Sequence, residues 1–451
     1  MSAPDPTSLT GKRFPLRDRY AHVVVGAGSA GIVAATEAAR TGARVLLVDE
    51  HPLDPGLIGL DVPYLFGGRM DAAVQNPARM EERIVAARPG LEAAMEAGVE
   101  VALGVCAWGG FVRGDVTRAL PQPMLGLADR ETAWLVGFER LTVAAGARDV
   151  VLPVQGWQLP GVMGARGFWA TVELYAAFSG TRIAIIGDGA AARDVAAVAE
   201  RAGIPIAARI AAPTALRVQG MAEVAGIAWR DGDVWREAAC DTVVLALDVV
   251  PNIELLDQLG CAIIWDAARG GFAPVLGEDG GANLARIFVR GDSAGTAPIA
   301  RLPWMQVALA DDDALVCACE DVSAGDLRAL RPPRYLDAAG PVGGLAAIPA
   351  ANADHAKRLT RAGMGPCQGR RCRESIHALL SRETPVPLAS HRAPLRPLPL
   401  SVLAALEEDP DLRANWTGWF GIAAQWLPHW EAVPDNPEFI GGRLSGPEVV
   451  E

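Results

Sequence analysis

The spacing of apolar and polar positions divides the chain into recognisable units. After a polar, proline-containing start, an apolar run of strand length, His22–Val25, enters a glycine turn. An Ala/Ile/Val segment of helical period then runs to about Arg40, and a second apolar strand covers Val45–Val48. Strand, tight turn, helix and strand in that order predict a β-α-β unit. Further on, Met80, Ile84 and Ala87 predict a helix from Pro77 to about Arg88, which Pro89-Gly90 should stop, and Leu91 to Gly98 reads as a shorter helix. Strand-like runs follow at Val99–Val105, Thr132–Val136 and Arg140–Ala144. A proline-punctuated connector, Val151 to Val162, is the best domain boundary. A second β-α-β unit opens at Thr181, and two more apolar strands follow, beginning near Asp241 and Arg286.

The turns carry the candidate chemistry. Gly26, Gly28 and Gly31 stand at G-x-G-x-x-G spacing. The first permits the tight turn, the second leaves room for a pyrophosphate, and the third lets helix pack on strand, so that the helix amides face the phosphate. Asp49, with Glu50 beside it, falls about 20 residues on, where an acid holds a ribose hydroxyl. The loop Phe66-Gly67-Gly68-Arg69-Met70 has the glycines for close approach to a ligand, with Arg69 as its charged member. Ala145-Gly146 ends one strand with small residues, and Gly291-Asp292 ends another with an acid that can reach a flavin's ribityl or pyrophosphate-side hydroxyls. In the second unit Gly187, Gly189 and Ala192 repeat the glycine template, but Ile210 stands where Asp49 stands in the first, and Asp188 opposes a phosphate by charge. Binding of NAD is therefore disfavoured there, and a retained fold without its ligand is expected.

Composition narrows the class. A net charge of −12 with no basic run argues against nucleic acid or an anionic membrane as partner. No apolar run is long enough to span a bilayer and no signal-peptide pattern opens the chain, so a cytoplasmic protein is expected. Seven cysteines without a secretory signal do not predict a disulfide framework. Cys106, Cys240 and Cys261 are solitary and read as small core residues. Cys317, Cys319, Cys367 and Cys372 form a C-x-C and a C-x4-C pair that can converge on one metal centre. Glycines at 363, 365 and 369 let backbone amides crowd the sulfurs, and Arg370 and Arg371 can offset their charge. A [2Fe-2S] cluster is the leading expectation, with zinc and unligated thiols as alternatives.

The order of glycine unit, Ala145-Gly146 strand end, inserted second unit and returning Gly291-Asp292 strand resembles the two-dinucleotide-binding-domain flavoproteins of the glutathione-reductase type. That resemblance implies an α/β fold with FAD in a discontinuous first domain. No C-x-x-C or C-x4-C lies before residue 300, which removes disulfide reduction. The cysteine region, with Lys357 to Cys372 and His391-Arg-Ala-Pro-Leu-Arg-Pro-Leu-Pro-Leu, resembles the bacterioferritin-associated-ferredoxin-like [2Fe-2S] domain of the larger subunits of opine oxidases, hydroxyproline dehydrogenases and hydrogen cyanide synthase. Gly156-Trp-Gln-Leu-Pro-Gly-Val-Met is similar to their interdomain connector.

This second resemblance implies an FAD-binding domain over 1–155 and 241–313, an inserted nucleotide-binding-like domain over 156–240, a [2Fe-2S] domain over 314–385 and a Pro/Trp-rich tail over 386–451. It implies FAD held by Gly26, Gly28, Gly31, Asp49, Glu50, Arg69, Ala145, Gly146, Gly291 and Asp292, a [2Fe-2S] cluster on the four paired cysteines, and room for FMN at an interface between subunits. It further implies a relay subunit with no catalytic residue of its own, accepting electrons from a smaller flavoprotein partner of the D-amino-acid-oxidase type that oxidises an amine or amino acid. The rival readings are a self-contained NAD(P)H-dependent reductase and a nucleotide-binding scaffold. The tail's Trp416, Trp419, Phe420, Trp426 and Trp430 predict a segment folded on its own core or docked to a partner.

Overall fold

The computed structural model describes residues 16–52, 68–112, 122–211, 213, 215–247, 249–295, 311–330, 353–381 and 386–406. The tryptophans of the tail and Phe66-Gly67 lie outside them.

The first glycine unit forms as its pattern requires: a strand Asp18–Val25, a helix Ser29–Arg40 and a strand Val45–Asp49. They belong to a seven-stranded sheet in which Glu100–Leu103, Val45–Asp49, Asp18–Val25 and Ala133–Val143 are parallel neighbours. Ala133–Val143 is one strand where the sequence predicts two. Its first half pairs antiparallel with Met124–Ala128, and its end pairs parallel with Ile287–Val289. The register decides what this sheet can do. Val25 stands beside both Val48 and Val143, and Val143 beside Val289, so the residues leaving all four strands emerge on one edge. Gly26, Asp49, Ala144 and Gly291 are thereby collected from distant parts of the chain at the carboxyl ends, where open α/β sheets bind ligands.

The second unit builds a four-stranded parallel sheet ordered Ile206–Ile210, Ile183–Ile186, Thr242–Leu245 and Val162–Gly164. Because Thr242–Leu245 pairs with Ile183–Ile186, the inserted sheet runs past residue 240. A three-stranded antiparallel sheet, Ala215–Gly220, Val224–Asp231 and Val234–Ala239, is attached to this unit. Pro89-Gly90 separates the helices Pro77–Ala87 and Gly90–Glu96 as expected, and Ile32 on the nucleotide helix packs close against Gly90.

The cysteine region is not a separate bead. Cys317 and Cys372 share a buried core with Val316, Val322, Leu327 and Ile376, together with Val150 and Val250 from the flavoprotein-like part. Trp157 of the connector donates its indole N–H to the Leu315 carbonyl at 2.6 Å. The start of the tail folds back as well. Leu395 N–H donates to the Trp108 carbonyl at 2.7 Å, and Val402 joins the cluster of Cys106, Trp108 and Met124. Among the described residues no helix is long and apolar enough to cross a membrane.

Candidate functional site

At the edge where the strands of the first sheet end lies a cavity of about 400 Å³, lined by Gly26, Gly28, Asp49, Arg88, Ala145 and Gly146 among others. Its first wall is the glycine turn. Gly26 has φ +106°, and a Cβ there would run into the Ala144 carbonyl, so only glycine lets this turn lie on the neighbouring strand. Gly28 has open space where a side chain would be. It caps the Ser29–Arg40 helix with no side-chain hydrogen bond, which leaves the first-turn amides facing a cradle that suits a phosphate. Gly31 is needed for packing, since a Cβ on it would strike the Gly26 carbonyl.

Asp49 is buried, and its carboxylate accepts from the Ala27 amide at 2.6 Å and the His51 amide at 2.8 Å. Those two bonds tie the strand end to the glycine turn and hold the acid beside the cavity. Glu50 lines the cavity too and is paired with Arg396 at 3.1 Å. His51 contacts the Tyr175 hydroxyl, and burial holds its imidazole below the ordinary histidine value.

Ala145 and Gly146 form another part of the wall, where Asn252 donates to the Ala145 carbonyl at 2.8 Å and Ser293 to the Gly146 carbonyl at 3.0 Å. Gly291 has φ +65°, and a Cβ there would crowd Ala30 in the first turn of the nucleotide helix. The Gly291-Asp292 turn is thus seated against that helix. Asp292 itself is turned to Arg166, which lines the cavity. The structure does not bring Arg69 to this wall. Its Nε donates to the Asp241 carbonyl at 3.0 Å and its Nη1 pairs with Glu223 at 2.9 Å, so it holds its loop to the inserted domain instead.

The four paired cysteines do come together. Cys317 is held next to Cys372 and Cys319 next to Cys367. The Cys372 thiol lowers the pKa of Cys317, the Cys367 neighbour raises that of Cys319, and Cys372 lies far above its usual value, pushed by Cys317 and by burial. The Gly363 amide donates to Cys317 Sγ at 3.4 Å, and a Cβ on Gly365 would strike Cys319. Cys367 and Cys319 also act on Cys372, so all four sulfurs are near one another. Among the described residues no group of three or more His, Cys, Asp or Glu is disposed around a single ion.

Two arginines join the sites. Arg370 and Arg371, which lie between Cys367 and Cys372, line the same cavity. Behind them is a buried ionic lattice that sequence reading missed. Arg148 donates from Nη2 to both Glu374 oxygens at 2.7 and 2.8 Å and from Nη1 to the Pro251 carbonyl at 3.1 Å. Arg373 donates from Nη1 and Nη2 to Glu254, both at 3.1 Å. Burial pushes the Glu254 carboxyl up, but Arg373, Arg370 and Arg148 outweigh it and hold the group well below the usual carboxylate range. No local motif announces these pairs, because each joins residues more than 100 positions apart.

In the second unit the glycine turn is preserved. Gly187 has φ +130°, and a Cβ there would strike the Ala246 carbonyl, as with Gly26 and Ala144. Ile210, at the position equivalent to Asp49, is buried in the core between the inserted sheets.

Among known proteins, the pyridine nucleotide-disulphide oxidoreductase family matches residues 20–231. An opine oxidase subunit of Agrobacterium tumefaciens is 25% identical, over 87% of this chain and 92% of its own length. A hydrogen cyanide synthase subunit of Pseudomonas aeruginosa is 24% identical, over 85% of this chain and 98% of its own. The crystal structure of L-proline dehydrogenase from P. horikoshii aligns with a TM-score of 0.62 at 19% identity, covering 87% of this chain and 81% of that one. The fold is that of the two-dinucleotide-binding-domain flavoproteins, an oxidoreductase architecture, and relatives of this chain are subunits of multi-subunit oxidases.

Proposed function

We propose that this chain is the electron-transferring flavoprotein subunit of an amine or amino-acid dehydrogenase complex, acting on opines, imino acids or similar secondary amines. FAD occupies the cavity at Gly26, Gly28, Asp49, Ala145 and Gly146, and a [2Fe-2S] cluster sits on Cys317, Cys319, Cys367 and Cys372. The observation that carries the reading is the shared wall: the loop between Cys367 and Cys372 contributes Arg370 and Arg371 to the cavity that begins at the glycine turn. The two proposed redox groups would then lie on either side of one loop.

The residues present fit both groups. The open space beside Gly28 and the uncapped helix amides accept a pyrophosphate, and Asp49 is held where a ribose hydroxyl can donate to it. Four thiolates spaced as C-x-C and C-x4-C suit a two-iron cluster, whereas zinc usually prefers C-x2-C pairs. Bound there, the flavin and the cluster together supply conversion between two-electron and one-electron transfer. The protein's own part is to hold the sulfurs with the Gly363 amide and a close-packed Gly365, to screen their charge with nearby arginines, and to keep water out of the core around Cys317 and Cys372.

Oxidation of the substrate C–N bond is assigned to a smaller D-amino-acid-oxidase-like flavoprotein partner. This rests on the relatives' being subunits of oxidases. The purified chain should show flavin bands plus broad visible iron–sulfur absorption. Cys317→Ser and Cys372→Ser should each lose iron and keep flavin. Full iron content in all four single cysteine-to-serine variants would refute the ligand assignment. Turnover of secondary amines by the isolated chain at the rate of a co-expressed complex would refute the relay role.

A further inference from the structure

The segment His391–Arg396 forms neither helix nor strand, yet it closes one side of the nucleotide cavity, which Leu395 and Arg396 line. Arg392 and Pro394 are exposed, while Leu395 is buried in the core of the first sheet. The segment is held at discrete points. Leu395 N–H donates to the Trp108 carbonyl at 2.7 Å, and Arg396 Nε pairs with Glu50 at 3.1 Å. His391 donates from its amide and from Nδ1 to Asp257 Oδ2, at 2.8 and 2.7 Å. Two further anchors stand on residues beside the cysteines. Arg370 donates from Nη2 to the Leu395 carbonyl at 2.7 Å and from Nη1 to the Cys367 carbonyl at 3.3 Å. Arg373, directly after Cys372, donates from Nη1 to His391 Nε2 at 3.0 Å. A guanidinium can only donate, so Nε2 is the bare nitrogen and Nδ1 carries the proton given to Asp257.

We propose that His391–Arg396 is a strap that retains the flavin and is itself held closed by the cysteine loop, so that cluster and flavin strengthen each other's binding. The physical route is short. Ligation at Cys367 and Cys372 fixes the backbone on which Arg370 and Arg373 stand, and those arginines hold the Leu395 carbonyl and the His391 ring. A segment without ladder hydrogen bonds opens by losing these contacts alone, at far less cost than unfolding the sheet beneath it. With the cysteines unligated the two arginines lose their fixed base, the strap opens more often, and the nucleotide escapes on that side. Coupling between binding sites is reciprocal, so flavin in turn strengthens iron binding by the same factor. The inference rests on the flavin and cluster reading and adds a link between the two, carried by residues outside the glycine and cysteine motifs.

The test uses the full chain, iron-loaded or iron-depleted and stripped of flavin in both forms. FAD affinity is measured by fluorescence titration, and hydrogen exchange of the peptide covering 391–396 by mass spectrometry. Couplings between sites typically amount to about 5- to 150-fold, so FAD should bind the iron-loaded chain more tightly by a factor in that range. Exchange at the Leu395 and Arg396 amides should be slowest with both groups bound and should quicken when either is removed. The double variant His391→Ala with Arg396→Met frees both ends of the strap, so its FAD affinity should be the same to within about 3-fold with and without iron. Equal FAD affinity in the two wild-type forms, or strap exchange indifferent to both groups, refutes the coupling while the flavin and cluster reading stands. An iron effect that persists in full in the double variant also refutes it, because the signal then passes through the arginines of the cavity wall. A wild-type chain that takes up no flavin or no iron overturns the reading beneath. Exchange of the iron-loaded wild-type chain with and without FAD needs neither substitution nor iron removal, so misfolding of a variant cannot mask the answer.

Discussion

Replacing Arg148 by methionine should loosen the cysteine region from the flavoprotein-like domain. The Arg148 and Glu374 side chains are 10% and 5% exposed, and their two-oxygen contact joins the ribbon strand Ala147–Asp149 to the helix Arg373–Leu380, which begins directly after Cys372. Methionine fills much of the arginine volume but leaves Glu374 with Arg373 Nε, at 3.4 Å, as its remaining charged partner among the described residues. Breaking a buried pair from one side costs about 3–5 kcal/mol, and the surviving Arg373 contact places this case near 3 kcal/mol. Spread over a unit of some 150–250 residues, that is roughly 6–12 °C in melting temperature. Calorimetric melting of the full chain should show the shift, with faster alkylation of Cys317 and Cys372, which are buried in the native core. The paired change Arg148→Met with Glu374→Leu removes both charges and leaves Arg373 to Glu254, so it should recover most of the loss. A single variant melting within about 1 °C of wild type, or a double variant as unstable as the single, would refute this account of the lattice.

Three other outcomes follow from the geometry. Gly28→Val should fold and melt like the flavin-free wild type while losing bound nucleotide, because its side chain enters open space, whereas Gly26→Ala should impair folding, because its Cβ meets the Ala144 carbonyl; flavin content and melting measured on both would expose the reverse pattern. Stability should fall as the pH drops from about 6.5 toward about 4, since burial holds His22 and His377 each at about 4, and the unfolded chain takes up protons there that the folded chain refuses. His22→Gln should flatten that slope in urea titrations, and an unchanged slope would remove His22 from the explanation. The flavin should be reduced little or not at all by NADH or NADPH, because Ile210 replaces the ribose-binding acid of the second unit; rapid stoichiometric bleaching would favour the self-contained reductase.

Short-range features were legible along the chain. G-x-G-x-x-G between two apolar strands predicts the turn, the helix and the open cradle at Gly28, because those depend on backbone sterics within a few residues. Pro89-Gly90 fixes the helix stop for the same reason. The Cys-Gly-rich loop likewise announces sulfurs crowded by backbone. Partnerships between distant segments came from the folded arrangement. Arg69 sits beside glycines and reads as a ligand contact, yet its acceptor is the Asp241 carbonyl, brought near by the docking of the inserted domain. Thr242–Leu245 reads as the exit from that domain and is one of its inner strands, because pairing register, invisible in a single strand, chose its neighbours. Arg88 reads as the last residue of a helix, and its place beside Asp49 follows from the packing of the next helix on Ile32. The Arg148–Glu374–Arg373–Glu254 lattice has no linear signature at all, since the attraction of buried charges depends on distance in space and on exclusion of water, and neither is encoded in spacing along the chain.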